Sequence, residues 1–229
     1  MNRTICLAPA ALLLLACASS PGPAPAPLVP AWTVDVRSDP PGARIARGDE
    51  ALGVAPLRVG AASMVEALAL RAESSGMPLV ERRIRVRGEA DLEITFRFGD
   101  TPTPLAHALG LGRVTVFDYA GGALFEVDRA ELRAEALVLL ARQAELLQGP
   151  FAGLRVWACG HTDHTGGEAH NLALSLARAE AVADVLKRHG VDASRIAVEG
   201  FGWQFPVAEE GSDAGRALNR RAEIVLPDE

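Results

Sequence analysis

The chain has 229 residues, of which 49% are apolar and 23% charged, and a formal charge of -6. That length fits one or two domains with real cores. The acidic balance argues against nucleic acid or an anionic membrane surface as partner, and with no run of eighteen apolar residues no transmembrane helix is expected.

Residues 1–17, MNRTICLAPAALLLLAC, combine a positive start at Arg3 with an apolar core and end in Leu14-Leu15-Ala16-Cys17. This is a secretory signal rather than a folded element. Its end resembles the lipobox of bacterial lipoproteins, and the resemblance implies lipidation of Cys17. Pro9 and Leu15 depart from that pattern and leave an ordinary secretory signal open. Two or more acyl chains would anchor stably. Ala18, which follows, implies an outer membrane lipoprotein facing the periplasm. With Cys6 in the signal and Cys17 acylated, Cys159 stays alone, so no intramolecular disulfide is expected. A small buried side chain is the expected role of Cys159.

Residues 18–31 carry five prolines and no charge, the composition of an extended tether. From Trp32 to Phe98 the pattern turns to short alternating runs: WTVDVRS, ARIARG, MVEALALRA, LVERRIRVR and DLEITFRF. Val34/Val36, Ile84/Val86 and Leu92/Ile94/Phe96/Phe98 put apolar side chains on one face and charge on the other, predicting a half-buried antiparallel sheet. Ser38-Asp39-Pro40-Pro41-Gly42-Ala43, with Gly48, Leu52-Gly53 and Pro56-Leu57, resembles the PEGA domain. That resemblance implies a small all-β sandwich over 32–98, with a spacer or protein-contact role. Residues 99–112, rich in Pro, Gly and Thr around a short apolar piece, are expected to be a linker.

The remainder alternates β and α. VTVFDYA and ALFEVD, split by Gly121-Gly122, suggest a hairpin. A helix is predicted from an Asp128 N-cap to Gln148, with Leu132, Ala136, Leu139, Leu140, Gln143 and Leu147 inward. The strand LRVWACG, a helix over 168–189, the strand RIAVEGFG and the last strand RAEIVL follow. Parallel pairing is expected wherever a helix crosses over. On the 168–189 helix Leu172, Leu176, Ala179, Val182, Ala183 and Leu186 form the stripe expected to face the sheet.

The stretch GHTDHTGGEAHNLALSLARA, residues 160–179, carries the chemistry. Asn171 and Arg178 are seven residues apart, nearly two helical turns, and so project the same way toward the loop holding Asp163. A carboxylate and a guanidinium aimed at one point suit a zwitterionic ligand, and N–H groups at the helix start favour its carboxylate. These residues, with Gly190-Val191, Arg195, Gly200 to Gly202, Pro206-Val207-Ala208 and GRALNRRAEI at 215–224, resemble the OmpA-like peptidoglycan-binding domain of the peptidoglycan-associated lipoprotein type. The resemblance covers about residues 113–227 and implies a β/α/β domain with a mixed sheet and two main helices. The whole chain is then α+β.

The same resemblance implies that Asp163 takes the ammonium and Arg178 the carboxylate of the diaminopimelate in a peptidoglycan stem peptide. Asp128 lines the pocket beside its N-cap role, Thr165 and Asn171 lie on the ligand side, and His161, Asn219 and Arg221 support it. His164 and His170 are expected at the rim. The spacing of His161, Asp163, His164 and His170 also admits a metal site and a metal-assisted hydrolase, but no general base with a defined geometry follows. The expectation is therefore a binding protein, with no catalytic residue, metal or cofactor, that anchors the outer membrane to the wall. The alternative is a wall-targeting subunit of a larger envelope machine, secretion or motility, with the PEGA-like region as docking surface for an envelope protein.

Overall fold

A computed structural model describes residues 32–88, 90–120, 124–126 and 128–228. The signal, Cys17, the tether and the Gly121-Gly122 turn lie outside the described residues. The first half opens with β1 (Trp32–Asp39), β2 (Arg44–Arg47), β3 (Glu50–Val54) and β4 (Leu57–Ala61). Then come helix α1 (Met64–Leu68), β5 (Leu70–Glu73), β6 (Leu79–Val86) and β7 (Asp91–Phe98). Val34, Val36, Ile84, Leu92, Ile94, Phe96 and Phe98 are all buried, as the alternation predicts. MVEALALRA departs from the alternating pattern. Ser63 caps its first half by accepting from the Glu66 amide at 3.1 Å, and the Glu66 carboxylate accepts from the Ala62 amide at 2.7 Å. That local capping converts a short alternating run into a helical turn.

Helix α2 (Pro104–Ala108) leads into β8 (Val114–Ala120), α3 (Ala134–Gln148), β9 (Val156–Gly160) and α4 (Glu168–Arg188). β10 (Ile196–Gly200), α5 (Asp213–Asn219) and β11 (Arg221–Pro227) complete the chain. One eight-stranded sheet runs β10-β9-β11-β8-β6-β7-β1-β4, and β3-β2-β5 form a second, three-stranded sheet. The larger sheet is mixed: β9/β10, β6/β8 and β1/β7 pair parallel, and the remaining pairs are antiparallel. The parallel β1/β7 pair departs from the all-antiparallel expectation. The strands between β1 and β7 supply the long crossover that a parallel neighbour requires.

Three further expectations are corrected. First, β6 is hydrogen-bonded to β8 with Ile84 opposite Phe117 and Arg85 opposite Asp118, so the two halves share a sheet. Residues 99–112, expected as linker, fold back instead. Thr103 caps α2, and Leu105 and Ala106 are buried with Val116, Trp157, Cys159 and Val225 on the sheet face opposite α3 and α4.

Second, among the described residues Leu124, Phe125 and Glu126 form no ladder with β8. Both edges of β8 are occupied, by β11 and β6, and Phe125 forms an isolated bridge with Leu132. Asp128 has φ 57°, a left-handed conformation that cannot begin a helix, so α3 starts six residues later at Ala134. Ala136, Leu140, Gln143 and Leu147 are buried as predicted, and Gln143 accepts a hydrogen bond from the Tyr119 hydroxyl at 2.7 Å.

Third, Leu172 and Leu176 are 48% and 41% exposed, and Asn171, Ser175 and Arg178 take the inward positions. The cause is close approach. A Cβ on Gly160 would lie 1.9 Å from the Ser175 carbonyl oxygen, and one on Gly200 would lie 2.5 Å from the Leu176 amide nitrogen. Only glycine on the strands and a small residue on the helix fit there. Farther along α4, Ala179, Val182, Ala183 and Leu186 return to the core as predicted.

Candidate functional site

The close helix–strand packing sets the site at the C-terminal end of β9. The chain leaves the sheet at Gly160, and the following loop is pinned by two backbone bonds, His161 N–H to the Arg221 carbonyl at 3.0 Å and Thr162 N–H to the Gly202 carbonyl at 2.8 Å. Asp163 then folds the chain over itself, since its Oδ1 accepts from the Thr165 amide at 3.0 Å and from the Thr165 hydroxyl. This is an Asx turn. Asn171, from the first turn of α4, locks the other side by donating its Nδ2 to the Thr165 carbonyl at 2.7 Å. Gly167 at the N-cap offers no side chain, so the first amides of α4 carry no side-chain cap.

Asp128, Thr165, Asn171, Asp163 and Arg178 line one open pocket of about 320 Å³ together with Arg220. Asp163 and Arg178 face the same cavity without forming a salt bridge. Asp163 Oδ2 pairs instead with Arg220 at 2.6 Å. Burial would push the Asp163 carboxyl up, but the hydrogen bonds from Thr165 and Arg220 outweigh it and hold the group below its usual value.

Arg178 is 2% exposed. Its Nε donates to the Arg129 carbonyl at 2.9 Å, one terminal nitrogen reaches the His161 carbonyl at 3.5 Å, and its plane lies 5.3 Å from the centre of the Phe125 ring. Among the described residues no carboxylate is within ion-pair reach of it. Burial, with the nearby Arg220 charge, pulls its pKa down despite Asp128 and Asp163. The pocket therefore holds a desolvated cation that makes no direct ion pair among the described residues, in the same cavity as an ionised carboxylate.

The three support positions sit behind this surface. Asn219 accepts from the amides of Val207 and Ala208 at 2.8 and 3.0 Å and donates to the Ala208 carbonyl at 2.8 Å, tying down the loop before α5. Arg221 is 1% exposed, donating to Glu223 at 2.8 Å and to the Phe205 carbonyl at 2.8 Å. His161 stacks on Phe201 and holds Glu223 through Nε2 at 3.2 Å. Arg220, the middle residue of the Asn219-Arg220-Arg221 run that the sequence left without a role of its own, is the member that lines the pocket: it stands between α5 and β11 and pairs with Asp163.

The three histidines are drawn apart rather than together. His161 turns inward to Glu223, His164 pairs with Glu210 at 2.8 Å, and His170 pairs with Asp128 at 2.8 Å across the pocket rim. Among the described residues no cluster of three or more metal-binding side chains is poised to hold an ion.

Comparison with known proteins follows this geometry. Residues 124–220 match the OmpA family. The chain is 42% identical over 107 residues to the peptidoglycan-binding protein ArfA of Mycobacterium tuberculosis, covering 46% of this chain and 32% of that one. It is 36% identical over 111 residues to the probable lipoprotein YiaD of Escherichia coli, covering 48% and 50%. Among solved structures, the cell wall anchor of the type VI secretion system from Pseudomonas aeruginosa is 37% identical over 50% of this chain and 81% of its own, with a TM-score of 0.45. The chain thus spans half or less of the length of these two curated relatives. Among the described residues no helix is long and apolar enough to cross a membrane.

Proposed function

We propose that the pocket binds peptidoglycan without covalent chemistry, taking the diaminopimelate side chain of the stem peptide, and that the protein anchors the outer membrane to the wall through lipid on Cys17. One observation carries this reading: Arg178 is buried, faces the cavity and among the described residues makes no ion pair with a carboxylate, so a ligand carboxylate supplies the partner. The ligand ammonium then meets Asp163, whose lowered pKa keeps it ionised at neutral pH, with Asp128 across the rim. Thr165 and Asn171 shape the wall between the two charges. The resemblance to a peptidoglycan-binding protein supports the same ligand class.

Exposed ion pairs contribute only about 0.2–1 kcal/mol, so the burial of Arg178 is what makes its pairing with a ligand effective. A polymer of repeated ligands adds avidity to each modest contact. The role is non-enzymatic. It is tested by co-sedimenting the full chain with purified diaminopimelate-type sacculi beside Asp163→Ala and Arg178→Ala. Retention of the wild type that both substitutions remove supports the reading. A wild type left in the supernatant, or variants that pellet equally well, would overturn it. Release of soluble wall fragments would overturn the non-enzymatic role.

A further inference from the structure

The outer face of the large sheet carries a continuous charged row. In register across the strands lie Arg58, Asp35, Glu93, Arg85, Asp118 and Glu223. Arg83, two residues along β6 from Arg85, sits at the junction of the two halves. Its guanidinium donates to Glu81 at 2.9 Å and to Glu223, and lies 3.5 Å from Asp118. Arg85 reaches the same Asp118 oxygen at 2.7 Å and does not pair with Glu223. Arg83 belongs to the first half of the chain, outside the residues that match the OmpA family.

Glu223 is 0% exposed, and its two oxygens serve different masters. Oε1 accepts from Arg83 and from Arg221, and Oε2 holds His161. The His161 ring is itself buried and its Nδ1 has no partner, so among the described residues Glu223 is the polar hold on that ring. His161 lies two residues before Asp163, and its carbonyl accepts from Arg178. A side chain on β6 is therefore linked, through one carboxylate and one imidazole, to the backbone between both charges of the pocket.

We propose that Arg83 is a positioning residue of the ligand pocket, acting through Glu223 and His161 on the loop that carries Asp163. The first half of the chain is then part of the binding unit rather than a spacer hung beside it. The ligand rests on the peptidoglycan reading above, whereas the path rests on geometry alone. Burial, with the Arg221 charge, holds His161 below its usual pKa; Glu223 opposes this and Arg83 adds to it. Removing Arg83 therefore frees the ring to protonate at higher pH.

The test uses the full chain with Arg83→Gln, Arg83→Lys and Arg85→Met, read by retention on diaminopimelate-type sacculi and by the His161 ring resonances across a pH titration. Arg83→Gln is expected to weaken retention by roughly two- to thirtyfold and to move the His161 titration upward. Arg83→Lys, which keeps the charge without the fork, is expected to weaken retention to a smaller extent while leaving the His161 titration close to wild type, and it carries the retention readout should the glutamine variant not fold. Arg85→Met leaves both readouts at wild-type values. The proposal is overturned if the folded Arg83 variants match wild type in both readouts, or if Arg85→Met reproduces their effects. A wild type that sacculi do not retain removes the peptidoglycan reading, and the His161 titration still decides the role of Arg83.

Discussion

Arg83 and Arg178 are both buried guanidinium groups, and they live in opposite circumstances. Burial alone would pull the Arg83 pKa down, but Glu223, Glu81 and Asp118 around it outweigh burial and leave it well above the ordinary arginine value. Arg178 has carbonyl oxygens and an aromatic face but, among the described residues, no ion-paired carboxylate, and burial lowers its pKa. A saturated charge network holds strands together. In the function proposed above the unsaturated one is left for a ligand, so that the same side chain serves structure in one place and binding in the other because of the anions placed around it.

The comparison breaks most sharply at Glu223. Glu223→Gln leaves Arg83 and Arg221 short of their shared anion, and the loss of one partner from a buried pair costs about 3–5 kcal/mol, read as a lower midpoint in urea. At the pocket the sign differs. Arg178→Met keeps an apolar stem in place while removing the buried guanidinium that lies over Phe125, so sacculus binding is expected to fall by about 2–5 kcal/mol with a melting temperature unchanged or raised. A variant that lost binding and stability together would put Arg178 in the structural class with Arg83.

Smaller effects sharpen the contrast. Gly160→Ala sets a Cβ against the Ser175 carbonyl, and such overpacking costs about 1–3 kcal/mol, measured by thermal melting, with sacculus retention falling as α4 is displaced. The smallest effect belongs to Asp163. Its folded pKa is below the unfolded one, so its stabilising contribution is full above the ordinary aspartate pKa of about 3.9 and is lost as pH falls through the lower folded value. Urea midpoints between neutral pH and pH of about 3 should show this decline in wild type and a shallower one in Asp163→Asn.

Much of the site was legible because its parts are close in sequence. The turn at Asp163, the glycines that end β9 and the seven-residue spacing from Asn171 to Arg178 are local patterns with local causes. Alternation marked β1, β2, β6 and β7 of the first half as plainly, whereas MVEALALRA divides into α1 and β5, and β3 and β4 lie outside the alternating runs. The β6/β8 pairing was not legible, since parallel strands joined through β7 and α2 leave no periodic mark in the sequence. The start of α3 was misplaced for a related reason: an aspartate followed by a glutamate three residues on signals a cap, but the Phe125–Leu132 bridge and the positive φ of Asp128 belong to the fold. Leu172 and Leu176 looked inward by period, and the absence of a Cβ on two strands decided otherwise.

The β6/β8 ladder also gives the molecule a mechanical character. A pull applied at Trp32 and resisted at the pocket crosses the β1/β7, β7/β6, β6/β8, β8/β11 and β11/β9 ladders in series. At the join between the two halves the backbone bonds are reinforced from both sides: Arg82 donates to the Thr115 hydroxyl on one face, and Arg83 and Arg85 reach Glu223 and Asp118 on the other. Where a flexible hinge would have let the halves swing apart under tension, the chain has a riveted seam.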